Sequence, residues 1–173
     1  MIGKNAFRIG FVAIALITTL LSCGHPAFGQ DLEAKEPIMG TWKLDPARSA
    51  LKRGGPSTPV RAIRPAAWVF APEVDGFRMS EYDGETPTGT PTLSYFAKFD
   101  GKEYPHPGGR DKGETVTHWR VSPYLMVRLA KVNDKSTEWV IYAVSSDGKV
   151  LTSTSWNPET PEYHNVRVFD REK

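Results

Sequence analysis

The sequence predicts an all-β fold: an antiparallel meander closed into an eight-to-ten-stranded barrel, with at most one short helix. Short runs rich in Val, Thr, Tyr, Phe and Trp recur from Glu36 onward. Turn residues separate these runs about every 8–12 residues. The Asp-Gly pair, a strong hairpin signal, stands at Asp75-Gly76, Asp83-Gly84, Asp100-Gly101 and Asp147-Gly148. The absence of a long helical pattern excludes a parallel βαβ sheet and its nucleotide site.

The predicted strands alternate in polarity, though unevenly. In chain order they comprise residues 38–44, 66–71, 77–82, 92–99, 103–104, 114–121, 124–132, 137–144, 150–156 and 163–169. In residues 124–132 the odd positions form an apolar set, opposed by Met126, Arg128 and Ala130. Residues 137–144 are apolar on both faces, which leaves their inward face open. A sheet of this many strands hides its edges best by closing into a barrel, whose interior holds side chains or one small ligand. A two-sheet sandwich is the alternative.

One segment carries helix signals. Asp45 is a suitable N-cap, Pro46 suits the first helical position, and Gly54-Gly55 would end the helix after Arg53. These residues predict at most two helical turns.

The N-terminus resembles an export signal. Lys4 and Arg8 precede the uncharged apolar run 11–21, which is shorter than the roughly 20 residues that a membrane-spanning helix needs. Residues 1–29 are therefore predicted to be a signal peptide and residues 30–173 a barrel domain. Cleavage after Gly29 would give a soluble periplasmic or extracellular protein. Residues 20–23 also resemble a bacterial lipobox, in which Cys23 would carry a lipid anchor, and both alternatives stay open.

The charge balance narrows the partners. Lys4 and Arg8 account for the excess of 22 basic over 20 acidic residues, so the predicted mature domain is formally neutral. This balance argues against a nucleic-acid binder and against electrostatic attachment to anionic membranes. Contact with a membrane is expected only through the signal or a lipid anchor. The single Cys excludes an internal disulfide, and the oligomeric state stays open.

A family resemblance rests on both ends of the domain. Gly40-Thr41-Trp42-Lys43-Leu44 and residues 166–171, which begin in the last predicted strand, resemble the G-x-W motif and closing basic strand of the lipocalin and fatty-acid-binding superfamily. Residues 40–49, 99–105 and 145–152, in this order, also resemble secreted bacterial lipocalin-like proteins of unassigned role. The resemblance covers most of residues 38–172 and implies a lipocalin-like barrel.

Barrel closure gives these motifs a structural role. The first and last strands are neighbours in a closed barrel, so Trp42 can plug one end. Either Arg167 or Arg171 can stack on its indole, a cation–π contact worth about 0.5–2 kcal/mol. Gly40 would let the backbone pass close beneath the ring.

The resemblance also implies ligand-binding residues. The last strand of fatty-acid-binding proteins carries Arg-x-Tyr, which binds the ligand carboxylate. The matching positions here are Arg167 and Phe169, and the phenylalanine lacks the second hydrogen-bond donor. Arg128, on an otherwise apolar strand, is a second candidate for an acid group, and His118 is a candidate cavity residue.

The sequence predicts no catalytic residue, metal site or cofactor. Its histidines lack zinc-ligand spacing, and no nucleophile motif occurs. Asp111 and Glu114 are expected to lie in a solvated turn. The tryptophans fit either a filled core or the wall of a pocket.

Three functions remain open on this basis. The leading hypothesis is an exported protein that binds a small hydrophobic or amphipathic molecule in its barrel. The alternatives are an envelope module with a filled barrel that acts through its surface, and a barrel enzyme of the isomerase or hydrolase type. The enzyme would need two titratable groups converging in one pocket, such as His118 with a carboxylate.

Overall fold

The protein forms ten β-strands in a computed structural model that describes residues 36–51, 64, 66–109 and 111–173. The predicted signal peptide, Cys23 and the end of the predicted helix lie outside these residues. The strands are β1 Gly40–Leu51, β2 Ala66–Glu73, β3 Gly76–Asp83, β4 Leu93–Ala97, β5 Asp100–Pro105, β6 Thr115–Ser122, β7 Leu125–Val132, β8 Lys135–Val144, β9 Val150–Trp156 and β10 His164–Arg171.

All ten strands belong to one antiparallel sheet, in the order β4-β3-β2-β1-β10-β9-β8-β7-β6-β5. Strands that are neighbours in sequence pair with each other, except β4 and β5. β1 pairs with β10, which joins the two ends of the domain at the centre of the sheet. β4 and β5 are the two edges of the sheet and share no hydrogen-bond ladder. The prediction of an antiparallel meander is confirmed.

Aromatic side chains close the seam between β4 and β5. Phe96 of β4 packs edge-to-face on Tyr104 of β5, with ring centroids 5.7 Å apart. Tyr95 packs edge-to-face on His106, directly after β5, at 4.7 Å. The sheet therefore curves into a nearly closed barrel, in which side-chain contacts replace one backbone ladder.

The predicted helix at Asp45 is wrong in the part of it that the structure describes. β1 continues to Leu51, and its pairing with β10 shifts register between Asp45 and Ala50. Asp45 Oδ1 does accept the amide hydrogen of Ala47, as a helix cap would. However, Ser49 Oγ accepts the amide hydrogen of Val168 at 2.9 Å, which keeps the segment on β10 as a bulge.

The barrel interior is aromatic. Fully buried side chains include Trp42, Phe70, Phe77, Tyr95, Tyr142 and Phe169. On β8, Val140, Tyr142 and Val144 point inward, so Trp139 lies on the outer face, where it stacks on Trp119. Within the described ranges, no helix is long and apolar enough to span a membrane.

Candidate functional site

One end of the barrel is closed by Trp42 and Arg171. The guanidinium of Arg171 lies 4.1 Å from the centre of the Trp42 ring. It also donates hydrogen bonds to the carbonyl oxygens of Pro37, Met39 and Gly148. A Cβ at Gly40 would lie 2.5 Å from Arg171 Nη1. Gly40 thus makes room for the guanidinium. The contacts of Arg171 all stabilise this closed end of the barrel.

Arg167 lies elsewhere in the barrel. Its guanidinium is 5.5 Å from the centre of the Trp68 ring. Trp68 in turn packs on the fully buried Phe169, with ring centroids 4.2 Å apart. Of the two arginines that could cover Trp42, only Arg171 does so, which leaves Arg167 for the interior.

A cavity of about 230 Å³ lies inside the barrel, and Trp42 does not line it. Five of the residues that line it are apolar or aromatic: Trp68, Met79, Leu93, Val140 and Tyr142. The charged or histidine side chains that line it are those of Glu81, His106, Asp111, Glu114, Arg128, Glu138 and Arg167. The barrel is therefore hollow in part, and the hollow part is strongly polar.

Arg128 is one of the charged residues that line this cavity. It is 7% exposed, and its Nη2 donates to Glu138 Oε2. Burial lowers the pKa of Arg128, but nearby Tyr142, Tyr95 and Glu138 more than offset this, so that the pKa lies above its ordinary value. Arg128 therefore carries a buried positive charge whose acidic partner is Glu138.

A second polar pair, His106 with Glu114, lines the same cavity. His106 Nδ1 donates to Glu114 Oε1 at 2.5 Å, and each residue is 7% exposed. A Cβ at Gly109 would lie 2.7 Å from His106 Nδ1, so a glycine is needed beside the pair. The expectation of a solvated turn is wrong for Glu114. The sequence separates the two residues by a polar loop, and only the β5–β6 hairpin brings them together.

His118 lies in the aromatic core and does not line the cavity. It is 1% exposed, and its Nε2 is 3.2 Å from the hydroxyl oxygen of Tyr95. Its ring also packs edge-to-face against Phe77 at 5.1 Å. Burial, together with the charge of Arg128, holds the pKa of His118 well below its usual range.

Acid is expected to destabilise the fold through His118. Because its pKa is lowered in the folded state, the unfolded chain binds more protons once the pH falls below about 6.5. The free energy of unfolding should therefore be insensitive to this group above that pH. Below it, the loss should reach about 1.4 kcal/mol per pH unit, down to the lowered pKa. Urea unfolding between pH 7 and pH 5 measures this loss.

The His118→Phe variant should flatten this dependence, since phenylalanine suits the surrounding aromatic rings and does not titrate. The exposed His164 provides the control, and His164→Asn should leave the dependence unchanged. If the stability of His118→Phe falls with acid as steeply as that of the parent protein, other groups cause the loss. The first candidate is His106, because burial also lowers its pKa.

Several polar atoms of the cavity residues are buried without a hydrogen-bond partner in the described part of the chain. They are Trp68 Nε1, His106 Nε2, Arg128 Nε and Thr137 Oγ1. Such atoms are uncommon in folded proteins and call for an explanation. No group of three or more potential metal-ligating side chains occurs among the described residues.

The candidates from the sequence thus divide into two groups. Arg128 and Arg167 line the cavity, whereas His118 and Phe169 belong to the packed core. Sequence reasoning missed Glu81, Glu138 and the His106–Glu114 pair as cavity residues. Strand alternation places Glu81 on the same face as Phe77 and Met79, so the sequence did carry a signal that Glu81 points into the barrel. For His106 the sequence offered no comparable signal.

No protein-family model matches the chain, and no curated protein matches it. Solved structures do resemble it, among them the following two. The Schistosoma mansoni fatty acid binding protein in complex with arachidonic acid has a TM-score of 0.57 and 15% identity, covering 80% of this chain and 98% of that chain. Secretory abundant heat soluble protein 4 from Ramazzottius varieornatus has a TM-score of 0.57 and 12% identity, covering 80% and 96%. The chain therefore has the fold of a fatty-acid-binding-protein-like barrel.

Proposed function

We propose that the barrel binds one small amphipathic molecule whose acid group is held by Arg167. The observation that carries this proposal is the internal cavity. Arg167 lines it and, among the described residues, has no acidic partner, whereas Arg48, Arg78, Arg120 and Arg128 each have one. A carboxylate can accept two parallel hydrogen bonds from a guanidinium.

The size and lining of the cavity restrict the ligand. At about 230 Å³, the cavity is smaller than the roughly 300–1,000 Å³ typical of drug-sized ligands. Met79, Leu93 and Val140 offer an apolar wall for a short chain. The neighbour from S. mansoni was solved with arachidonic acid, which supports an acidic, partly apolar ligand class, but this cavity favours a shorter molecule. Because the barrel is partly hollow, the structure also favours a ligand inside the barrel over the alternative of an envelope module with a filled barrel that acts only through its surface.

Titration calorimetry with octanoate tests the proposal. Octanoate is expected to bind at one site, and Arg167→Gln should weaken it by about tenfold or more, because a hydrogen bond to a charged group is lost. Arachidonate should bind more weakly than octanoate, since its longer chain exceeds the cavity.

Arg78 offers a matched control, because it is exposed and paired with Glu73 away from the cavity. Arg78→Gln should bind octanoate like the parent protein. If Arg167→Gln binds octanoate equally well, or if both variants weaken it to the same degree, Arg167 is not the anchor and the proposal fails.

We further propose that the protein acts outside the cytoplasm. The basic residues Lys4 and Arg8 followed by the apolar run 11–21 support export. These residues lie outside the described part of the structure, and both a soluble form and one anchored through Cys23 are compatible with a binding barrel.

A further inference from the structure

The cavity holds more acidic than basic side chains. Four of its lining residues carry carboxylates, Glu81, Asp111, Glu114 and Glu138, against the two arginines Arg128 and Arg167. Glu138 pairs with Arg128, and Glu114 accepts a hydrogen bond from His106. Asp111 is exposed. Among the described residues of the cavity wall, Asp111, Arg167 and Glu81 have no ionic partner, and of these three only Arg167 and Glu81 are half-buried.

Arg167 and Glu81 both lie beside Trp68. Glu81 stands directly opposite Trp68 in the β2–β3 ladder, so the two side chains share the inner face, with Cβ atoms about 5 Å apart. Arg167 approaches the same indole from β10, with its guanidinium 5.5 Å from the ring centre. The arginine and the glutamate form no salt bridge with each other. The cavity therefore presents opposite charges at two places around one indole.

Charges in a confined site are costly unless they are paired. A simple carboxylic acid would neutralise Arg167 but would add a second negative charge near Glu81. A simple amine would pair with Glu81 and leave Arg167 unpaired. A molecule that carries both a carboxylate and an ammonium group can pair with both.

We infer that the ligand is a small zwitterion of the α-amino acid class. Its carboxylate pairs with Arg167, its ammonium group with Glu81, and its apolar side chain lies against Met79, Leu93 and Val140. This inference rests on the proposed function, since it uses the same cavity and the same anchor, and it adds the second charge.

Three probes with the same hydrocarbon tail test it: octanoate, octylamine and 2-aminooctanoate. Calorimetry on the parent protein should rank 2-aminooctanoate tightest, by about tenfold or more over octanoate, because one further charge-assisted hydrogen bond forms. This ranking needs no variant, so it does not depend on how well a variant folds.

Glu81→Gln should then remove the advantage of 2-aminooctanoate and leave octanoate bound as tightly as before or more tightly. Glu73 is the matched control, since it pairs with Arg78 outside the cavity, and Glu73→Gln should preserve the ranking. Circular dichroism and urea unfolding check that both variants are folded.

The outcomes separate the two proposals. Octanoate binding that depends on Arg167, with no gain for 2-aminooctanoate, overturns the zwitterion and leaves the proposed function standing. Octylamine binding as tightly as 2-aminooctanoate shows that the carboxylate contributes nothing and overturns both. Failure of all three probes to bind also overturns both.

Discussion

Replacing Trp42 by alanine is expected to lower the free energy of unfolding by about 3–5 kcal/mol, the range for removing a large buried aromatic side chain. Trp42 is fully buried, and its Nε1 donates to the carbonyl oxygen of Ile38 at 2.7 Å. Its ring also carries the guanidinium of Arg171. The variant leaves a cavity at the closed end and removes the aromatic face on which that guanidinium lies. Urea denaturation followed by circular dichroism gives the value.

Trp156 is the control for this experiment, because it lies half-buried in β9, on the outer face opposite Trp139. Trp156→Ala removes the same side chain from a position that can be refilled by water, so its cost should be clearly smaller. Equal costs for the two variants would contradict the assignment of Trp42 to the closure of the barrel.

Replacing Glu138 by alanine is expected to cost about 3 kcal/mol, since it leaves the charge of Arg128 buried without its partner. The side chain of Arg128 is 8% exposed and that of Glu138 is 26% exposed. The partial exposure of Glu138 places the expected cost at the lower end of the range for breaking buried ion pairs. Thermal and urea unfolding both report it.

A double variant distinguishes a lost pair from a general loss of packing. Arg128→Met combined with Glu138→Ala removes both charges and should recover much of the stability, because the uncompensated charge is gone. Glu159→Ala, which breaks the exposed pair with Lys135, should cost less than about 1 kcal/mol. If the double variant is as unstable as Glu138→Ala alone, the unpaired charge of Arg128 does not cause the loss of stability.

The strands were predictable because turn chemistry and β-propensity act locally. Asp75 and Gly76, for example, mark the β2–β3 turn, in which Asp75 has a positive φ of 63°. The bulge after Asp45 was not predictable, since its local signals favour a helix. What overrides them is the hydrogen bond between Ser49 and Val168, a contact between residues far apart in sequence.

The site was less predictable than the fold. Arg128 and Arg167 are recognisable as charged residues in apolar strands, but alternation does not give the face of Arg128. The odd positions of residues 124–132 are the more apolar set, whereas the structure turns Met126, Arg128 and Ala130 inward. The face of β8 could not be assigned, because Trp139 and Val140 are both apolar. The outward position of Trp139 follows from its partners on neighbouring strands. Likewise, the His106–Glu114 pair exists only because a hairpin folds one residue back onto the other.

The pairing of β1 with β10 has a consequence for how the chain folds. Arg171 and Met39, which are hydrogen-bonded in this region, are separated by 132 residues in sequence. Folding slows as contacts become more distant along the chain. During synthesis, β1 has only β2 as a ladder partner until His164–Arg171 has been made. The strand at the centre of the finished sheet is therefore an exposed edge in the growing chain, and that edge is where premature association with other chains would begin.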